Sequence, residues 1–258
     1  MIQMVGLYSV GALTLLRNDD YLSLEHWRFF LTSDTYLGLF WKSVRMSLGV
    51  SITAVLLAYP IAYLLALIAG ARKYTLLLVI IVPFLTSYLL RVLAWRVILG
   101  ESGVANSFLQ TAGLVDEPVR WLFNSQFAIY LVLSYVWVPF VALPIFVSLE
   151  NLDHHLLEAS SDLGASRLRT FWTVTFPLSL PGVVAGFIFV FIPTIGEYVT
   201  PQLVGGPGGF MFGSAIQSAF TAGLDWQFGS AMAMFLIFAV AVLLAVFGRF
   251  LDVRSVSE

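Results

Sequence analysis

Apolar residues in this chain gather into long unbroken runs, and the polar positions are pushed into the connectors between them. Five runs reach the roughly 20 helical residues needed to cross a hydrocarbon core of about 30 Å. They are Met46 to Gly70, Tyr74 to Ile98, Phe127 to Ser148, Pro181 to Val204 and Gly229 to Phe250. The pattern predicts an all-α, polytopic membrane protein with five full transmembrane helices. A further apolar stretch, Met1 to Leu16, is short for a span and lacks the basic flank and small-residue cleavage site of a signal peptide. It reads as the remnant of a truncated sixth helix, and a chain start placed too late explains it equally well. The expected organisation is an N-terminal segment over 1–45 and a transmembrane domain over 46–250, the latter containing a polar loop at 150–177. A tail follows over 251–258.

Composition changes the picture by exclusion. Of 258 residues, 59% are hydrophobic and 11% charged, against about 25% charged in an ordinary soluble domain. The formal net charge of -2, with Lys and Arg scattered, excludes nucleic acid as a partner. Without cysteine there is no disulfide framework, thiolate metal site or cysteine nucleophile. His154, His155 and Glu158 come nearest to a metal-hydrolase helix, but the histidines are adjacent instead of four apart, so no metal or other cofactor is expected. Gly205 to Gly209 hints at a phosphate-cradling loop, yet no Lys-Ser or Lys-Thr pair follows and no strand precedes. It is read as a flexible turn, which leaves the chain without an ATP-binding loop of its own.

Orientation follows the positive residues in the short connectors. Arg72, Lys73, Arg167, Arg169, Arg249 and Arg254 share one face, whereas the two later connectors on the opposite face carry only Arg120. Arg17, Arg28, Lys42 and Arg45, before the first full run, argue the other way. Three separate connectors agree, so the 150–177 loop and the C-terminus are expected in the cytoplasm.

That loop mixes charge with apolar residues. Leu156, Leu157 and Leu163 recur near helical spacing, with Glu158, Asp162 and Arg169 left to face water or a partner. Gly164 is placed to take the left-handed turn that ends such a helix. Here the sequence resembles the permease subunits of binding-protein-dependent ABC importers. Their cytoplasmic motif reads Glu-Ala-Ala, three residues, Gly, nine residues, then Ile-x-Leu-Pro. Glu158 and Ala159 match, Ser160 replaces the second alanine, Gly164 keeps the spacing, and Val174-Thr175-Phe176-Pro177 stands at the end.

The resemblance implies the type I ABC importer permease fold and a coupling helix docked on a separate ATPase. It implies that Glu158, Ala159, Ser160, Asp162, Gly164, Ala165 and Pro177 lie in or beside that contact. The implied partners are two cytoplasmic ATP-binding subunits, a second permease subunit and a periplasmic or external substrate-binding protein. The implied location is the inner or plasma membrane of a prokaryote. ATP hydrolysis belongs to the partner, so the chain is expected to be a transport subunit and not an enzyme. A secondary transporter is the rival class, but no inverted repeat between halves is evident.

Three stretches are similar to spermidine and putrescine permeases: Leu90 to Trp95, Phe191 to Val199 and Asp225 to Gly229. They imply a polyamine substrate, although importers of ferric iron, sulfate, thiamine or phosphonates share parts of them. Glu197 adds a physical clue, because a carboxylate within an apolar run is costly unless it faces a cavity or a partner. Glu197, Tyr198, Arg91 and Trp95 are therefore the candidate substrate-pathway residues. Two alternatives stay open for Glu197: pairing with Arg91 or Arg96, or capping a helix broken at Pro193 and Gly196. For Arg91 and Arg96 the plain alternative is snorkelling to the headgroups. Trp41, Trp95, Trp121, Trp137 and Trp226 are expected mostly as interfacial anchors.

Overall fold

The apolar runs fold as helices, the form in which a single segment satisfies its own backbone polar groups in hydrocarbon. The computed structural model describes residues 2–10 and 24–255, with side chains described as far as Val246, and no strand occurs among the described residues. The chain begins with α1 (Ile2–Ser9) and α2 (Glu25–Thr32), then α3 (Asp34–Tyr63), which a π-helical turn prolongs over Leu64–Ile68. Next come α4 (Lys73–Ile81), a 3-10 turn at Val82–Leu85, α5 (Tyr88–Leu99) and α6 (Val104–Thr111). After α7 (Gln126–Glu150) the polar loop holds α8 (His154–Asp162) and α9 (Arg167–Thr170). A π-helical turn at Phe171–Thr175 leads into α10 (Phe176–Ile195), followed by α11 (Val199–Val204), α12 (Phe212–Thr221) and α13 (Trp226–Ser255).

Among the described residues, four continuous helical stretches are long and apolar enough to span a membrane: Asp34–Ile68, Gln126–Glu150, Arg167–Ile195 and Trp226–Val246. A fifth candidate is a broken pair, Gly70–Leu85 and Tyr88–Thr111, bent by 83°. The run expected as one span from Tyr74 to Ile98 is thus interrupted. Pro83 lacks an amide proton and Thr86 is extended (ψ 159°), so the helix stops and restarts. The first span begins at Asp34, well before Met46. The fourth ends at Ile195, so Pro181 to Val204 is not one helix, and Glu197 lies just past the end of α10. Helix α1 is about 12 Å long at 1.5 Å per residue, too short to cross. The remainder of the apolar N-terminal segment beyond Val10, with Arg17, lies outside the described residues, as do the side chains of Arg249 and Arg254 and residues 256–258.

The chain forms two compact units, whose boundaries fall within α3, α5, α7 and α10. The first comprises the described parts of Met1–Ser47, Arg96–Ile129 and Ile192–Glu258. Its aromatic core gathers Phe30, Phe40, Phe212, Phe228 and Met232 from α2, α3, α12 and α13. The Phe235 ring meets Phe30 at 4.9 Å and Phe40 at 5.1 Å, both edge to face, the geometry that aromatic quadrupoles favour.

The second unit comprises Leu48–Trp95 and Tyr130–Phe191. Here α7 and α10 approach through Gly182 and Gly186. A Cβ on Gly182 would stand 2.5 Å from the Pro144 carbonyl oxygen and 2.6 Å from Ser148 Cβ; one on Gly186 would stand 3.0 Å from Val141 Cγ1. Small residues four apart let two helices close to backbone contact where lipid offers no hydrophobic drive for association. On α3, Gly49 is filled in the same way by the Tyr130 ring, whose hydroxyl meets Thr53 Oγ1 and the Gly49 carbonyl.

Candidate functional site

In the polar loop, Asp153 starts α8 by accepting a hydrogen bond on Oδ1 from the His155 amide at 2.9 Å. The helix ends in a closed turn: Gly164 N–H donates to Ser161 O at 2.8 Å and Ala165 N–H to Ser160 O at 3.1 Å. This pairing of 5→2 and 6→1 bonds is the Schellman motif, and Gly164 supplies its left-handed residue at φ 76°. Ser166 then caps α9, and Ser160 Oγ meets Thr170 Oγ1 at 2.9 Å, closing α8 onto α9. The result is a knob of fixed shape. A cavity of about 410 Å³ lies beside it, lined by Leu156, Ala159, Leu163, Arg169 and Val174 among others.

The knob is exposed on both its polar and apolar sides. Glu158, Ala159, Asp162, Gly164 and Pro177 are exposed, and Ser160 and Ala165 half-buried. Leu163, expected on the buried face, caps the helix and is 88% exposed; Leu168 and Trp172 also face outward. Beneath the knob, the Tyr59 hydroxyl meets Ser179 Oγ at 2.9 Å, and Phe171 lies edge to face with both Tyr59 and Tyr63. The knob is therefore seated on α3 and α10.

The four candidate pathway residues divide between the units. In the first, the Glu197 carboxylate accepts on Oε1 from the amides of Val199 (2.8 Å) and Thr200 (3.1 Å), capping α11. Oε2 makes no hydrogen bond among the described residues. Close by, the start of α12 runs hard against the break: a Cβ on Gly213 would lie 2.3 Å from the Gly196 carbonyl oxygen. Tyr198 is exposed. In the second unit, the Arg91 guanidinium lies 5.2 Å from the Phe84 ring centroid, and Trp95 meets Tyr135 edge to face at 5.2 Å. Arg91 Nε and Nη1 are covered by protein and have no hydrogen-bond partner among the described residues, which is not the arrangement of a snorkelling side chain. Trp137 likewise departs from an interfacial role, since its indole nitrogen is buried in mid-helix.

Two features escaped the sequence reading. Gly182 and Gly186 carried a usable signal in their spacing. Lys42 carried none: its ammonium donates to the carbonyls of Gly208 (2.7 Å) and Phe210 (2.8 Å), and Gln126 adds a longer bond to Gly208. Gly206 at φ 56° packs against Asn124, itself at φ 53°. The Gly205 to Gly209 segment is thus a pinned loop, not the flexible turn expected.

The family model described as "Binding-protein-dependent transport system inner membrane component" matches residues 46–255. The spermidine/putrescine transport system permease protein PotB of Escherichia coli K12 is 35% identical over 219 residues, covering 85% of this chain and 79% of that protein. PotB of Haemophilus influenzae is 34% identical over 229 residues, covering 86% of this chain and 80% of that protein. Among solved structures, a bacterial alginate ABC transporter in complex with its alginate pentasaccharide-bound periplasmic protein aligns at a TM-score of 0.72. It covers 95% of this chain and 85% of that one at 16% identity, a likeness of fold alone.

Proposed function

Because this chain belongs to the binding-protein-dependent transport system inner membrane component family, we propose that it is the membrane-spanning subunit of an ATP-driven polyamine importer. One observation carries the substrate: identity of 35% to a spermidine/putrescine permease across 85% of the chain. The chain is a transport subunit, and ATP is hydrolysed by a separate one. In this reading the bent pair α4–α5 counts as one span, which makes five, with the 150–177 loop and the C-terminus in the cytoplasm. Two ATP-binding subunits take the α8 knob, a second permease pairs with this chain, and a substrate-binding protein delivers cargo from outside.

The mechanism follows from shape. A knob closed by the Schellman turn and seated on α3 and α10 is too stiff to absorb a push, so approach of the ATPases is passed to the spans as rocking. Glu197 is held by its cap with Oε2 left over, an arrangement suited to an ammonium group. The exposed Tyr198 beside it, and Arg91 with Trp95 in the other unit, are the further pathway candidates.

The test is ATP-dependent uptake of labelled spermidine and putrescine into proteoliposomes holding this chain with its genomic-neighbour permease, ATPase and binding protein. Saturable uptake is expected. No polyamine uptake, in a complex whose ATPase still responds to its loaded binding protein, would keep the importer and remove the substrate.

A further inference from the structure

Lys73 is the first residue of α4 and Glu150 the last residue of α7. Their side chains form an ion pair through Lys73 Nζ and Glu150 Oε1, each about a quarter exposed (25% and 24%). Tyr74 reinforces the joint. Its hydroxyl lies 3.5 Å from the same Glu150 oxygen, and its ring meets Phe146, one turn back on α7, edge to face at 6.2 Å. Two neighbouring residues of α4 thus grip two successive turns of α7.

The place of this joint matters more than its strength. Only residues 151–153 separate Glu150 from α8, and they are not slack: Asn151 N–H donates to Val147 O, Leu152 N–H donates to Leu149 O and is buried, and Asp153 is the cap of α8. A displacement of the knob therefore arrives at Glu150 with little loss. Backbone continuity passes it on to α7 and, through α9, to α10. The backbone leaving the knob does not carry it directly to α4, which the seat on α3 reaches only by way of the turns over Leu64–Ile68 and Gly70–Arg72. The ion pair does, and α4 runs on to the break at Thr86 and the half-buried Arg91 just past it.

On the reading given under Proposed function, we propose that the Lys73–Glu150 pair is a coupling strut, a positioning contact that carries motion of the α8 knob into the broken span α4–α5. A partly exposed ion pair suits this role, because it holds two helices in register while exchanging readily with water between strokes. Coupling free energies between sites typically correspond to factors of about 5 to 150, so losing the strut should be visible in the stoichiometry of transport without loss of either partial activity.

The experiment uses the whole importer in proteoliposomes and measures spermidine uptake per ATP hydrolysed. Lys73→Met and Glu150→Gln should each lower that ratio by at least about fivefold, with ATPase activity and assembly on gel filtration retained. Lys73→Arg, which keeps the pair, should hold the wild-type ratio, and the exchange Lys73→Glu with Glu150→Lys should recover most of it. Unchanged ratios in the single variants, an exchange no better than the singles, or single variants that fail to assemble would each overturn the strut. A wild-type complex that takes up no spermidine, or whose ATPase ignores its loaded binding protein, would instead count against the proposed function.

Discussion

The Lys42 ammonium donates to the carbonyl oxygen of Gly208 at 2.7 Å, joining residues 166 positions apart and pinning a loop whose glycines would otherwise leave it loose. A second bond to Phe210 makes the grip two-pronged. Hydrogen bonds from a charged donor contribute about 1.5 to 3 kcal/mol. Lys42→Met should therefore speed amide exchange across Gly206 to Phe210 by about tenfold or more, read by hydrogen exchange and mass spectrometry. Exchange unchanged from the parent would mean that Asn124 and Gln126 hold the loop without it.

The glycines of α10 differ in what a methyl group would strike. At Gly182 the obstacle is backbone, 2.5 Å away; at Gly186 the nearest is a valine methyl at 3.0 Å, which is able to shift. Overpacking costs about 1 to 3 kcal/mol. Gly182→Ala should fall near the top of that range and Gly186→Ala near the bottom, measured by thermal unfolding in detergent. Equal losses would remove the distinction.

Gly164 points its missing side chain into open space, so bulk is no obstacle there. The backbone is: φ 76° costs a non-glycine residue about 1 to 2 kcal/mol. Gly164→Asn, a residue that tolerates this region, should retain uptake better than Gly164→Ala. Gly164→Asp adds a charge to the exposed knob and should uncouple uptake from ATP hydrolysis most. Normal uptake by the Asp variant would remove the coupling role from this turn.

Glu197 has two jobs that one pair of variants separates. Gln keeps an oxygen to accept from Val199 and Thr200 but loses the charge, while Ala loses both. Glu197→Ala should cost about 1 kcal/mol of stability through the cap; Glu197→Gln should not. If the carboxylate serves a cationic substrate, Glu197→Gln should still lower uptake by about tenfold, the worth of one charged contact. Uptake equal to the parent would leave the cap as its whole role.

What was legible in the sequence was what depends on local pattern. Apolar runs announced helices, and Gly164 with its flanking charges announced a short helix and its stop. The Schellman bonds then formed within six residues of chain, between Ser160 and Ala165, so nothing distant was needed to foresee them. The break at Thr86 was harder, because apolar residues continue on both sides of it and hydropathy does not register a bend; Pro83 was the available sign. That α10 stops at Ile195, just short of Glu197, was hidden for the same reason. Contacts such as Lys42 to Gly208 and Lys73 to Glu150 join residues far apart in sequence, and no periodicity encodes them. The α7–α10 approach lay between: the glycine spacing was visible, but its partner on α7 was not.

The turn at Gly164 also has a consequence for chirality. A position that rejects side chains through its torsion angle, with free space where Cβ would stand, discriminates by handedness and not by size. Mirror-image amino acids favour positive φ as natural ones favour negative. A D-alanine built into position 164 by chemical ligation would therefore adopt this torsion without the strain its L-counterpart bears, and would favour the folded turn by narrowing the conformations open to the unfolded chain.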